Sequence, residues 1–432
     1  MSAATIEHLL SGTLPDPDSA GTLAVRTRQV VIGEGLAARA GELVTGLDLP
    51  GPVALVADPA THRAMGAQVA RSLSGERRVV EVVFAASPQP DEAAVAEVLE
   101  RATAAASLLA VGSGTINDLT KCAAARSGRR FAVFGTALSM NGYASENAAI
   151  TVAGHKKSLA AVPAEGVFLD LGVLAAAPVR LTRAGLGDSI CRPTAQVDWL
   201  LSHLLLGTPY RTAPFRLLEE DEPCLLRKSE GLARGEPTAL AALARTLVLS
   251  GFGMAICGGS WPASQAEHLV SHWIDMRGDP RWPPSFHGEH IAVTTLAIAR
   301  IQEAILRGPP PRLTPEPLDE AALVDRYGPT LGRSCWADVA RKRLDAQRAA
   351  ELTDRLASEW ADVAARCGTI AKPAAEIEAA LTRAGAPTTP SDIGVPPPFF
   401  REAVRRAREI RDRFTVLDLA ALSGRLEELA PP

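Results

Sequence analysis

Apolar positions fall into two rhythms along this chain. Up to about residue 175, short runs rich in valine, isoleucine and phenylalanine are closed by glycine or by Asp-Pro: QVVIGEG (29–35), PVALVADP (52–59), RRVVEVVFA (77–85), SLLAVGSG (107–114), RRFAVFGTA (129–137) and GVFLDLGVL (166–174). Each reads as a strand. Between them, as in SPQPDEAAVAEVLERATAA with Ser87 or Asp91 as the cap, alanine, valine and leucine recur at helical spacing. Strand and helix in alternation predict a parallel sheet with helices on both faces, and ligands bind at the carboxyl ends of such strands.

From about residue 180 the rhythm changes. LTRAGLGDSICRPTAQVDWLLSHLLL, PTALAALARTLVLSGFGMAIC, GEHIAVTTLAIARIQEAIL and the stretch after 318 read as long helices rich in alanine and leucine, with hardly a strand among them. A boundary is expected at 175–182, giving an α/β domain over 1–180 and an all-α domain over 181–432. The proline clusters GPPPRLTPEP (308–317) and GVPPPFF (394–400) read as surface connections. The arginine-rich FREAVRRAREIRDRF reads as an amphipathic helix with a charged outer face.

Composition narrows the class. With 432 residues, 47% hydrophobic and 22% charged, the chain has ample material for a sizeable core. A net charge of −4 and a pI near 6.1 leave no excess of basic residues for a nucleic-acid backbone or an anionic membrane. No uninterrupted apolar run reaches membrane-spanning length, and the opening MSAATIEHLLSGTLPDPDSAG lacks the basic start and apolar core of a signal peptide. A cytoplasmic protein is expected. Cysteines 122, 191, 224, 257, 335 and 367 are scattered without a CxxC pair and read as reduced, buried thiols.

Candidate chemistry sits in separate stretches. Asp188 in RAGLGDSI, His268 in PASQAEHLVSHWIDM and His287 in SFHGEHIAV supply one carboxylate and two imidazoles. Such a set fills three places around zinc or a similar ion and leaves one open for a substrate oxygen. His272 shares a helical face with His268, four residues away, and could chelate with it; His290 follows His287 by three and reads as a supporting group or a surface residue. In SLLAVGSGTINDLTK a strand runs into Gly112, Ser113 and Gly114 and a helix begins near Thr115, a turn whose N–H groups suit a pyrophosphate. Asp58, closing an earlier strand, offers a carboxylate to an adenosine ribose or simply caps its turn.

Taken in order, VGSGTINDLTK, GTALSMNGYASENAAITVAGHKKS, GLGDSICRPTAQVDWLLSH, SGFGMAICGGSWPASQAEHLVSHWIDM, HGEHIAV and FREAVRRAREIRDRFTVLDLA resemble the sn-glycerol-1-phosphate dehydrogenases, in their bacterial branch, over about residues 25–425. That family belongs to the iron- or zinc-dependent polyol and alcohol dehydrogenases, with dehydroquinate synthase as a distant relative. The resemblance implies a Rossmann-like nucleotide-binding domain followed by an all-α metal- and substrate-binding domain, the dehydroquinate synthase-like/iron-containing alcohol dehydrogenase fold, as a homo-oligomer. It implies Asp188, His268 and His287 as ligands of one divalent metal, zinc first and nickel or iron as alternatives. It also implies an NAD or NADP site on Asp58, Gly112, Ser113, Gly114, Thr115, Asp118, Thr136 and Ser139. Asp58 should repel a 2′-phosphate and so favour NAD.

The implied reaction interconverts a ketone and a secondary alcohol: the metal polarises the substrate oxygen, and hydride passes between the nicotinamide and the carbinol carbon. His272 is the candidate proton relay, with Asn141 as a second catalytic and substrate-binding group. Lys156, Lys157 and Arg192 are candidate contacts for an anionic, phosphorylated small molecule such as dihydroxyacetone phosphate. The chain departs from its relatives near the substrate. Asn141 stands where an aspartate is usual, Trp261 where an arginine precedes the PAS stretch, and Arg192-Pro193 where a small or basic residue and an aromatic one are expected. Such changes alter what a pocket holds while leaving hydride chemistry intact, so a specialised reductase of another carbonyl compound is one alternative. A cyclase or lyase of the dehydroquinate-synthase kind, using the nicotinamide transiently, is a second, though that branch presents glutamate where this chain has Asp188. A non-catalytic nucleotide-binding relative is the third.

Overall fold

The computed structural model describes residues 2–152 and 155–431. The chain forms two compact units. The first comprises Met1–Ser189, Arg211–Ser260 and Arg383–Ala386; the second comprises Ile190–Tyr210, Trp261–Thr382 and Pro387–Pro432.

The first unit is built on the expected parallel sheet. Its strands are β1 (Gln29–Gly33), β2 (Val53–Ala57), β3 (Val79–Val83), β4 (Ser107–Gly112) and β5 (Arg130–Gly135), then β8 (Gly166–Asp170) after a hairpin of β6 (Asn147–Val152) and β7 (His155–Ala160). All six β-branched runs of the sequence became strands of this sheet, in the order β1-β8-β5-β4-β2-β3, every pairing parallel. The central β2, β4 and β8 are buried at every residue, as a sheet covered on both faces requires. The antiparallel hairpin lies outside the six-stranded sheet, and the sequence reading did not include it: Ile150, Thr151 and Val152 form a β-branched run in one arm, but HKKS in the other is polar.

Helices complete the unit. Asp91 caps α1 (Glu92–Arg101) by accepting from the Ala94 N–H, and α2 (Gly114–Ser127) leaves the end of β4. The stretch read as one helix after residue 180 is two: α3 (Val179–Ile190) and α4 (Arg192–Leu206). Pro193 explains the break, because it lacks an N–H and fits the first turn of a new helix. α5 (Pro237–Cys257) is long and apolar enough to cross a membrane, with Arg245 interrupting it, and two-thirds of its apolar window is buried within the protein.

The second unit is helical. α6 (Ala266–Arg277) packs on α7 (His287–Leu306), and α4 and α7 both meet α8 (Ala346–Gly368) around Leu201, Ile298, Ile301, Leu356 and Trp360. The second proline cluster is not all connection: Pro397 begins α9 (Pro397–Arg406), where a fixed φ suits the first turn. Nor does the arginine-rich segment run as one helix with its charges outward. α9 gives way to a short 3-10 turn, and Arg408 is buried, paired with Glu316 and with Asp418, which also holds buried Lys342 at 2.9 Å. The six cysteines are free thiols.

Candidate metal centre and cofactor turn

Strand order gives the first unit a switch point between β2 and β4, since the chain leaves β2 for one edge of the sheet and β4 for the other. Register does the rest. Val56 pairs with Ala110 and Gly112 with Gly135, so Asp58, the Gly112–Gly114 turn and Thr136 follow adjacent strand ends. The Thr136 N–H donates to the Gly112 carbonyl at 3.1 Å. Ile116 fills the space a side chain on Gly112 would need, with its Cβ 2.5 Å from that position, so this glycine is required by packing as well. Ser113 occupies the cap position of α2 without a side-chain capping bond. Asp58 caps the helical turn Pro59–Thr61, its Oδ1 accepting from the N–H groups of Ala60 and Thr61.

One turn into α2, Asp118 accepts from the Ala149 N–H at 3.0 Å and from Asn117 Nδ2 at 2.9 Å. Ser139 lies in the loop after β5, partly exposed. The same loop carries Asn141, whose backbone N–H donates to Asp188 Oδ2 at 2.8 Å and whose Nδ2 donates to Ser250 Oγ at 3.2 Å. Asp188 is buried near the end of α3. Lys157 is exposed on β7 opposite Ile150; Lys156 pairs with Thr151 through its backbone, and its side chain lies outside the described residues.

Three imidazoles meet in the second unit. His268 and His272 project from one face of α6, with ring centroids 5.9 Å apart, and His287 opens α7 with its ring 5.1 Å from His268 and 6.0 Å from His272. The ligand atoms of His268 and His287 lie within 4.8 Å of each other. The start of α7 is fixed by the Phe286 N–H, which donates to the Glu289 carboxylate at 2.7 Å. His290, one turn on, meets Ser285 Oγ and lies 3.5 Å from Asp275. Arg192, the first residue of α4, donates to Gln196 Oε1 at 3.1 Å.

Three groups in the second unit carried no site role in the sequence reading. Glu267, fully buried, stands 2.9 Å from His268 Nδ1 and accepts the Gln265 N–H at 2.8 Å. A carboxylate on one ring nitrogen fixes the tautomer and leaves Nε2 as the donor toward an ion. The neighbour of His268 in sequence was the available signal. Cys191 joins Glu267 and His268 in a second close group of possible ligand atoms, all buried. Arg413, from the segment read as an outward-facing helix, lies over the Trp261 ring at 5.9 Å and donates to the Ser264 carbonyl; burial and the neighbouring Arg411 guanidinium push it down to about 10. Behind Glu267 lies Asp198, held by Gln302 and the N–H groups of Ala266 and Val416, its carboxyl raised to about 8 by burial and by the Glu267 charge.

The model of the iron-containing alcohol dehydrogenase family matches residues 31–178. A glycerol-1-phosphate dehydrogenase [NAD(P)+] of Pyrococcus furiosus is 33% identical over 272 residues, covering 63% of this chain and 78% of the relative. The Bacillus subtilis enzyme of the same name is 30% identical, covering 64% and 72%, and that of Haloarcula marismortui is 28% identical, covering 90% and 92%. Among solved structures, a probable glycerol dehydrogenase of Sinorhizobium meliloti superposes with a TM-score of 0.59 at 17% identity, covering 94% of this chain and 97% of that one. An NADH-dependent butanol dehydrogenase of Thermotoga maritima gives 0.60 at 16%, covering 95% and 98%, and both share the fold.

Proposed function

The chain belongs to the glycerol-1-phosphate dehydrogenase family of the iron-containing alcohol dehydrogenases and is an NAD(P)-dependent dehydrogenase, and from that premise we propose that it interconverts a small phosphorylated ketone and its secondary alcohol, dihydroxyacetone phosphate and sn-glycerol 1-phosphate being the first pair. The observation that carries this reading is the grouping of buried Glu267 and His268 with the partly buried His287. Asp188 is the third ligand in the proposal: it lies two residues before Ile190, the last residue of α3 and the first of the second unit. One carboxylate and two neutral imidazoles suit a borderline divalent ion, zinc before nickel or iron.

When bound, the ion polarises the substrate oxygen and the nicotinamide carries the hydride. The residues of the chain do the rest. Glu267 holds His268 in one tautomer, and the Asn141 N–H holds one oxygen of Asp188. His272, on the same helical face as His268, relays the alcohol proton, and the Asn141 amide hydrogen-bonds a substrate hydroxyl without supplying charge. Lys156, Lys157 and Arg192 attract the anionic end. The Gly112–Thr115 turn takes the pyrophosphate at the start of α2, with Asp118, Thr136 and Ser139 beside it. Asp58 favours a ribose hydroxyl over a 2′-phosphate, hence NAD. A cytoplasmic homo-oligomer completes the proposal.

The test is a carbonyl panel led by dihydroxyacetone phosphate, followed at the nicotinamide absorbance with zinc, nickel or iron added. Loss of NADH in proportion to alcohol formed is expected. No response to dihydroxyacetone phosphate with any of the three metals removes this substrate, and product without net nicotinamide change favours the transient-oxidation chemistry of a cyclase.

A further inference from the structure

We propose that Lys121 is a positioning residue that holds the turn bearing Asn141 and, through it, sets the direction of the Asp188 carboxylate. This rests on the reading of Asp188 as a metal ligand. Lys121 is fully buried in the third turn of α2, an unusual place for an ammonium group. It is satisfied by three oxygens from one short segment: the Gly142 carbonyl at 2.5 Å, Ser145 Oγ at 3.2 Å and the Asn147 carbonyl at 3.0 Å. One turn earlier on the same helix, Asp118 accepts the Ala149 N–H, so α2 grips residues 142–149 twice.

The turn is pressed from two other sides by helices that come close only because glycine is there. A Cβ on Gly185 of α3 would sit 2.0 Å from the Leu138 carbonyl oxygen, and one on Gly251 of α5 would sit 2.7 Å from the Asn141 carbonyl oxygen. Ser250, beside Gly251, takes the Asn141 side-chain amide. Lys121 thus closes a clamp whose other jaws are α3 and α5, and the product of the clamp is the 2.8 Å bond from the Asn141 N–H to Asp188 Oδ2. With that oxygen committed, the carboxylate presents Oδ1 in one direction. Partners that orient a metal ligand in this way are worth about tenfold or more in metal affinity.

The experiment compares zinc dissociation, read by competition with a chromogenic chelator, with the melting midpoint for four proteins: wild type, Lys121→Met, Gly251→Ala and Val69→Ala. Gly251→Ala pushes the same turn from the opposite side and carries the test should Lys121→Met not fold. Val69, fully buried in a first-unit cluster with Leu43, Leu55 and Leu73, is the control for lost stability alone. Expected are Kd values raised about tenfold or more in Lys121→Met and Gly251→Ala, with Val69→Ala within about twofold of wild type at a comparable fall in midpoint. Equal Kd shifts in Lys121→Met and Val69→Ala, or none in Lys121→Met, would overturn the assignment while leaving Asp188 as a ligand. A wild-type chain that holds no zinc, nickel or iron overturns the ligand reading and this one with it.

Discussion

The carboxylate of Glu267 stands 2.9 Å from Nδ1 of His268, with both side chains buried in the second unit. Consecutive residues on a helix project about a quarter-turn apart, so this contact relies on Glu267 curling back across the start of α6, where it also accepts the Gln265 N–H. The pair ties the tautomer of a candidate ligand to a group that cannot itself reach substrate without breaking two hydrogen bonds.

Glu267→Gln keeps the shape and an acceptor oxygen but loses the charge. Zinc affinity should fall about 10- to 100-fold, with far-ultraviolet circular dichroism unchanged. Competition with a chelator of known affinity reads the loss; an unchanged Kd would show that the carboxylate charge is irrelevant to His268.

Asp188→Asn, His268→Ala and His287→Ala should each abolish turnover rather than soften it, because polarisation of the substrate oxygen is worth several kcal/mol. Steady-state rates with excess zinc are the measurement. Retention of a tenth of wild-type kcat in any one would remove that residue from the ligand set.

Asp418 lies at the centre of a buried charge cluster, accepting from Lys342 Nζ and the Thr415 N–H and pairing with Arg408. Asp418→Asn leaves two cations in the interior with one fewer counter-charge, and the chain should lose about 3–5 kcal/mol of stability. Urea denaturation followed by tryptophan fluorescence measures it, and a loss below about 1 kcal/mol would mean that the cluster relaxes to water.

Lys121 gives a signature in alkaline solution. Burial pushes its ammonium down to about 8, against the ordinary 10.5. Between these values the unfolded chain retains a proton that the folded chain has released, so stability rises with pH through this window. The stability difference between wild type and Lys121→Met should therefore shift toward the wild type by about 3 kcal/mol from pH 8 to 10.5. A flat difference across that range would place the folded-state ammonium at its ordinary value.

The sheet was legible because strands covered on both faces are nearly pure apolar runs, as VALVA and SLLAVG are. The β6–β7 hairpin was not, since its polar arm HKKS hides the pairing that the β-branched AAITV makes outside the main sheet. The helix break at Cys191 was signalled by Pro193, but the composition on both sides is helical and masked it. Arginine-rich FREAVRRAREIRDRF misled for a different reason. Charges belong outside by default, and the partners that bring Arg408 inside, Glu316 and Asp418, come from other segments that no local pattern connects. Within the site, Glu267 could have been read from its place beside His268, whereas the stacking of Arg413 on Trp261 joins residues 152 positions apart, which only the fold brings together.

The tracing of the first unit bears on how the protein can be dissected. Because Arg211–Ser260 and Arg383–Ala386 return to it after the chain has visited the second, a recombinant fragment ending near Ser189 would lack α5 and the Ser250–Gly251 wall behind Asn141. Such a fragment would expose apolar sheet-side surface and aggregate. Domain swaps between relatives must therefore exchange the interleaved segments together.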